Sequence, residues 1–272
     1  MKPRPFDYAR PETVEEALAL LAEYGDDARV LAGGQTLVAM LNLRLLEPAL
    51  IIDINRIAEL DAIRELDGEV EVGAAVTQNR LLGWPALTRR LPLVAAALPF
   101  VGHFQTRNKG TVCGSVAHAD PASEIPLALA LLEGEVVLRS QRGTRRVAAA
   151  DFQQGMLTTA RAADELITAV RFPLGGERAA FREVARRHGD FAIVAVGALA
   201  GNGDGVRLGV AGMADRPAVR RIRPGAGLGD AIEHLAWELE GYDDVHASAR
   251  MRRDLLRRLA PVVVEEARAC AA

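Results

Sequence analysis

The chain has 272 residues, 50% of them hydrophobic, with 33 Lys plus Arg set against 36 Asp plus Glu. That length and apolar fraction supply core for one large domain or two modest ones, and the near balance of charge excludes the overall positive field that draws a protein to nucleic acid. Its two cysteines, Cys113 and Cys270, exclude a disulfide framework and cannot by themselves ligate an iron–sulfur cluster; Met1 to Tyr8 lacks the apolar run of a signal peptide and no stretch forms a membrane span, so a cytoplasmic protein is expected.

Taken in order, Thr13-Val14-Glu15-Glu16 has capping-box spacing, and Val14, Ala17, Leu18 and Leu21 repeat at helical period, which predicts an amphipathic helix. Residues 29–31 read as a short buried strand that runs into Ala32-Gly33-Gly34-Gln35-Thr36, with a helix over 37–46. The order strand, glycine loop, helix leaves backbone N–H groups free where an anion can sit. No Gly-x-Gly-x-x-Gly accompanies it and no Gly-Lys-Ser/Thr follows a glycine, which disfavours a Rossmann domain and a P-loop; residues 201–205 read instead as a hairpin turn. Strands are predicted at 49–54 and 69–74 with a turn at Asp67-Gly68, and helices at 77–82 and 86–98, the second interrupted at Pro92.

The next stretch, from Lys109 to Pro121, sets glycines and small hydroxyl residues between apolar segments. It reads either as a loop whose backbone closes on a phosphate or as an ordinary glycine turn. A helix follows at 124–132, then a hairpin of 135–139 with 144–147 around Gly143, and a strand at 165–172 closed by Pro173. The Gly175-Gly176 pair marks a domain boundary. Beyond it, strands at 179–187, 191–200, 206–211 and 219–223 predict a small antiparallel sheet, closed by helices at 230–239 and from 246 onward. The last helix is read with Met251, Leu255, Leu259, Val262 and Val263 on its apolar side, a kink at Pro261, and Arg250, Arg252, Arg253, Arg257 and Arg258 on a solvated or subunit-facing surface.

The two glycine segments together would cradle a diphosphate better than either alone, holding it without cleaving it. No catalytic set accompanies them: His103, His118, His188, His234 and His246 lack metal-ligand spacing and no nucleophile–base arrangement is evident. His118 and Asp120 form an acid–base pair only if their segment is extended. Glu124 is either an acceptor for nucleotide hydroxyls or a helix N-terminal acid favoured by the dipole, and Cys113 stands as a small residue where a third glycine is expected.

Ala32-Gly33-Gly34-Gln35-Thr36 and Thr111-Val112-Cys113-Gly114-Ser115, with 119–126 and 185–192, resemble the FAD-binding medium subunit of the molybdenum hydroxylases, the xanthine dehydrogenase and aerobic carbon monoxide dehydrogenase family. The resemblance implies an α+β architecture: a two-lobed FAD-binding domain of the vanillyl-alcohol-oxidase (PCMH) type over 1–175, in lobes of about 1–56 and 57–175, then a C-terminal domain of antiparallel sheet and helices over 176–272. It implies that Val30, Leu31, Ala32, Gly33, Gly34, Gln35, Thr36 and Leu37, with Gly110, Thr111, Val112, Cys113, Gly114 and Ser115, wrap the FAD diphosphate and neighbouring groups. Glu124 would meet the nucleotide, Ile167 lie along the cofactor, Arg182 stand near it and Phe191 approach the isoalloxazine ring. Cys113 for glycine and Ser115 for asparagine depart from the family pattern, touching one backbone approach and one side-chain bond.

In that family, electrons taken at a molybdopterin centre in a large subunit pass through [2Fe–2S] clusters of a small subunit to this FAD, and on to NAD, oxygen or another acceptor. The implied assembly is a dimer of heterotrimers, with molybdenum and iron–sulfur cofactors in the partner subunits. Two other readings stand beside it: a non-catalytic nucleotide-binding or assembly protein that retains the fold, and a stand-alone flavin oxidase.

Overall fold

The computed structural model describes residues 2–175, 178–201, 205–223, 225 and 227–269. Gly176 of the glycine pair, residues 202–204 of the expected hairpin turn and Cys270 lie outside them.

Strand β1 (Asp7–Ala9) leads into helix α1 (Val14–Tyr24), which begins where the Thr13 hydroxyl accepts from the Glu16 amide at 3.2 Å. The Glu16 carboxylate accepts in return from the Glu12 amide at 2.9 Å, so two orphan donors are satisfied and Val14, Ala17, Leu18 and Leu21 turn inward. Strand β2 (Ala28–Leu31), helix α2 (Leu37–Asn42) and strand β3 (Leu50–Asp53) complete a small parallel sheet of order β1-β3-β2. Helix α2 is shorter than the 37–46 expected, because Arg44 takes a left-handed φ of 57° and its guanidinium donates to Lys2 O, which turns the chain away.

The larger sheet is antiparallel. Strands β4 (Ile63–Leu66) and β5 (Glu69–Gly73) form a hairpin; helices α3 (Gln78–Leu82), α4 (Leu87–Arg90), α5 (Pro92–Ala97), α6 (Phe104–Arg107), α7 (Val112–His118) and α8 (Glu124–Leu131) follow. Pro92 starts α5 rather than kinking a longer helix, since the first helical position needs no N–H. Then come β6 (Glu135–Ser140), β7 (Gly143–Ala148), α9 (Ala149–Phe152), a short β8 (Gln153–Gly155) and β9 (Thr158–Thr159) pair, and β10 (Leu166–Pro173). The order β4-β5-β10-β6-β7 puts β10 at the centre, which is why residues 166–170 are buried on both faces. Strand β4 escaped the sequence reading because its pattern is half polar, as an edge strand allows.

Strands β11 (Arg178–Val184), β12 (Val194–Ala200), β13 (Val206–Ala211) and β14 (Ala218–Ile222) form the expected antiparallel meander, followed by α10 (Leu228–Glu238) and α11 (Ala249–Ala269). One face of the meander sends Phe181, Ala195 and Leu199 into the main core, shared with α1, α5, α7, α8 and Val70, Val72, Val136 and Val170 of the larger sheet. The other face packs Val194, Val196, Leu208 and Val210 under Leu256, Val263 and Val264 of α11. No helix among the described residues is long and apolar enough to cross a membrane.

Two expectations for this half need correction. Strands β11 and β12 stop short at Val184 and Val194, leaving 185–193 as a loop. The inner face of α11 is Arg252, Leu256, Ala260, Val263, Val264 and Ala267, whereas Met251 and Val262 are exposed. The apolar stripe was misread because an arginine opens it: once Arg252 is counted inside, the i, i+4 series runs unbroken, straight through Pro261.

Candidate functional site

The two glycine segments meet backbone to backbone. Strand β2 delivers 32–36 from the small sheet, where Asn55 Nδ2 donates to Ala32 O at 2.9 Å and Gln35 Nε2 to Gly33 O at 3.2 Å. The second segment is hung on the turn after β5, with the Gln78 amide donating to Gly110 O at 2.8 Å and the Val112 amide to Val76 O at 3.1 Å. A Cβ on Gly33 would lie 2.4 Å from Lys109 O, 2.6 Å from Gly110 Cα and 2.9 Å from the Thr111 nitrogen. Only glycine permits that approach. The amides of Gly33, Gly34, Gln35, Thr36 and Leu37 on one side, and of Thr111 and Cys113 on the other, have no acceptor among the described residues. Backbone donors drawn together without an internal acceptor suit an anion of several oxygens.

Residues 111–115 are not a loop. Thr111 caps α7, its hydroxyl accepting from the Gly114 amide at 3.0 Å, so Val112 to Ser115 form the first helical turn. Helical period then divides their roles: Val112, Cys113 and Val116 face the core, while Gly114 and Ser115 are part-exposed. Cys113 therefore fills space between α7 and β5, its Sγ 3.5 Å from Val72 O, and burial pushes its thiol well above the usual range. The exchange of glycine for cysteine concerns the core behind the amides, not the approach in front of them.

Glu124 opens α8 and is 3% exposed, with no hydrogen bond to its carboxyl from another described residue. Burial, and then Glu183 across the interface on β11, push its pKa up to about 8; burial outweighs the helix N-terminus. Glu183 is pushed up to about 7 by burial, and its Oε2 is buried without a hydrogen-bond partner among the described residues. His118 and Asp120 flank Ala119, which takes a left-handed φ of 55° at the end of α7, so the extended geometry that an acid–base pair needed is absent. Asp120 instead accepts from the Ala122 amide at 2.8 Å.

Ile167 is buried in β10 at a register shift against β6, next to Thr168, whose carbonyl accepts from the Ala74 amide at 3.0 Å on the way to α3. Phe191 is 54% exposed in the 185–193 loop. That loop docks on the chain leading to Gly110: a Cβ on Gly189 would lie 2.8 Å from the Gly102 carbonyl carbon and 2.9 Å from His103 Nδ1, and the His188 ring sits 6.1 Å from Phe100. Arg182 points to the opposite face of β11 from Phe181 and Glu183 and pairs with Glu266 of α11.

Sequence reasoning missed Gln78, 5% exposed, which backs the second segment with both its amide and a side-chain nitrogen 3.5 Å from Thr111 O. Its place just inside the Thr77 cap carries no signal of this role; the Thr77–Thr111 bridge brings the second segment over it. It also missed Arg252, which is 1% exposed. Among the described residues no group of three or more His, Cys, Asp or Glu could hold a metal ion.

Residues 4–175 match the family model of the FAD binding domain in molybdopterin dehydrogenase. The alpha subunit of the 6-hydroxypseudooxynicotine dehydrogenase complex of Paenarthrobacter nicotinovorans is 41% identical over 195 residues, 71% of this chain and 66% of that one. The nicotine 6-hydroxylase medium subunit of the same organism is 34% identical over 96% of each chain. A solved chain of carbon monoxide dehydrogenase from Hydrogenophaga pseudoflava superposes with a TM-score of 0.93 at 30% identity, covering 100% of both chains. With a family model across most of its length, a relative matched over 96% of each chain at 34% identity and the same fold in a dehydrogenase subunit, the chain belongs to the FAD-binding medium subunits of the molybdopterin dehydrogenases, as a flavoprotein oxidoreductase subunit.

Proposed function

We propose that Val30 to Leu37 and Gly110 to Ser115 hold the FAD diphosphate through backbone amides, and that the loaded chain relays electrons from [2Fe–2S] clusters of a small partner subunit to an external acceptor. The observation that carries this reading is the contact at Gly33 between two segments in which the amides of Gly33 to Leu37, Thr111 and Cys113 lack acceptors among the described residues. Backbone donors of this kind hold a diphosphate without a charged side chain. Bound FAD supplies the redox chemistry. The chain binds and orients: the amides fix the diphosphate, Ile167 lies along the cofactor and Phe191, carried in by the meander, meets the isoalloxazine. Glu124, protonated at neutral pH by its burial, offers a nucleotide hydroxyl both a donor and an acceptor. Arg182, paired with Glu266, stands near the cofactor.

The relatives' descriptions as a complex subunit and a medium subunit support a place in a multi-subunit dehydrogenase; the partners in this reading are a small iron–sulfur and a large molybdopterin subunit, in a dimer of heterotrimers. NAD, oxygen or another oxidant takes the electrons. The FAD-binding unit is assigned to 1–175, in lobes of about 1–56 and 57–175, and the C-terminal domain to 176–272. The test is the visible spectrum of the purified chain: flavin absorption, or uptake of one equivalent of added FAD by apoprotein, is expected. A folded chain that takes up none sinks the reading.

A further inference from the structure

We propose that Arg252, on the C-terminal helix, is the residue that positions the Phe191 loop against the segment following α7. The inference rests on the FAD reading above, which gives that loop its role.

Arg252 is the largest fully buried side chain described. Its Nη1 donates to Ile193 O at 2.5 Å and Gly212 O at 2.7 Å, its Nε to Tyr242 O at 3.0 Å and its Nη2 to Asp244 Oδ2 at 2.6 Å. The guanidinium also stacks 4.1 Å over the Tyr242 ring. Asp244 is itself oriented by the amides of His246 and Ala247, each at 2.8 Å. A buried cation is costly unless every donor is placed, and a helix that needed only apolar packing would be served by leucine or methionine. What the guanidinium holds therefore tells what it is for.

Both Nη1 acceptors lie at one end of the meander. Ile193 precedes β12 and stands two residues after Phe191; Gly212 follows β13. The Gly212 amide donates to Pro121 O at 3.0 Å, in the link between α7 and α8. Gly212 has a φ of 80°, and a Cβ there would lie 2.5 Å from Ile193 O, so the junction closes only with glycine. One side chain thus joins the exit of the Phe191 loop to the chain that leaves the amide cluster. An exposed aromatic on an otherwise irregular loop acquires a fixed position through the two buried residues behind it, Ala192 and Ile193.

The test compares full-length Arg252→Met with Val263→Ala, a buried residue about three turns further along the same helix that shares the second core. Each is loaded with FAD and measured for thermal midpoint, FAD dissociation constant and visible circular dichroism. Arg252→Met is expected to weaken FAD about tenfold and to alter the isoalloxazine dichroism, whereas Val263→Ala at a similar thermal midpoint keeps wild-type values for both. Should Arg252→Met not fold, Arg252→Lys, which keeps charge and loses the fork, is expected to alter the dichroism with the fold intact. Wild-type affinity and dichroism in the arginine variants, or equal losses in Val263→Ala, overturn the inference and leave the FAD reading standing. A wild-type chain that binds no FAD overturns both.

Discussion

At Gly33 one hydrogen atom separates two backbones, since any Cβ would lie 2.4 Å from Lys109 O. Gly33→Ala is expected to push the segments apart, costing about 1–3 kcal/mol of stability through overpacking and weakening FAD far more than that strain alone accounts for. Chemical denaturation and an FAD titration on the same preparation separate the two effects; unchanged affinity would show that the contact is not part of the cradle. Cys113 predicts the reverse. Its side chain packs between α7 and β5, so Cys113→Gly should cost about 1–3 kcal/mol from the lost volume and lower helix propensity, with FAD affinity unchanged. The native thiol, buried and with its pKa raised, should react with a thiol reagent only on unfolding.

Between elements, Glu124 at the start of α8 and Glu183 on β11 are electrostatically linked carboxyls: the Glu183 charge adds to burial in raising the Glu124 pKa. Their folded pKa values, about 8 and about 7, lie above the ordinary 4.5, so the folded state holds protons that the unfolded chain releases. Their contribution is complete below the unfolded value and is lost as pH rises through the folded values. Apoprotein stability should therefore fall between about pH 5 and pH 8. Glu183→Gln, which keeps the shape and cannot ionise, should flatten that fall; thermal midpoints across the range decide it, and an unchanged slope would remove Glu183 as its source.

For the molecule as a whole, the meander is the organising piece, because it packs on the FAD-binding unit with one face and on α10 and α11 with the other. If the chain is the electron relay proposed above, it should not oxidise an organic substrate alone. Its bound flavin should be reduced when reduced iron–sulfur subunit is added. Stopped-flow spectra of that mixture test the relay: a flavin that stays oxidised would mark a nucleotide-binding protein that has kept the fold, and turnover by the isolated chain a flavin oxidase.

The sequence by itself determined most elements and both glycine segments, since caps, periodicity and turn residues act over a few positions: Thr13 caps a helix where it stands, and β10 reads as a strand from its apolar run alone, although the helix that Thr111 caps was read as a glycine loop. Tertiary structure decided which side of an element faces what. Cys113 turned out to be core because α7 is a helix lying on β5, and Arg182 faces α11 because alternation on β11 turns its neighbours the other way. Arg252 could not be read as buried, for its carbonyl partners at 193, 212 and 242 belong to three separate segments that only folding brings to one guanidinium. Nor could the meeting of Gly33 with Lys109 to Thr111 be read from spacing, because local propensity fixes each turn and only the packing of the two sheets fixes the gap between them.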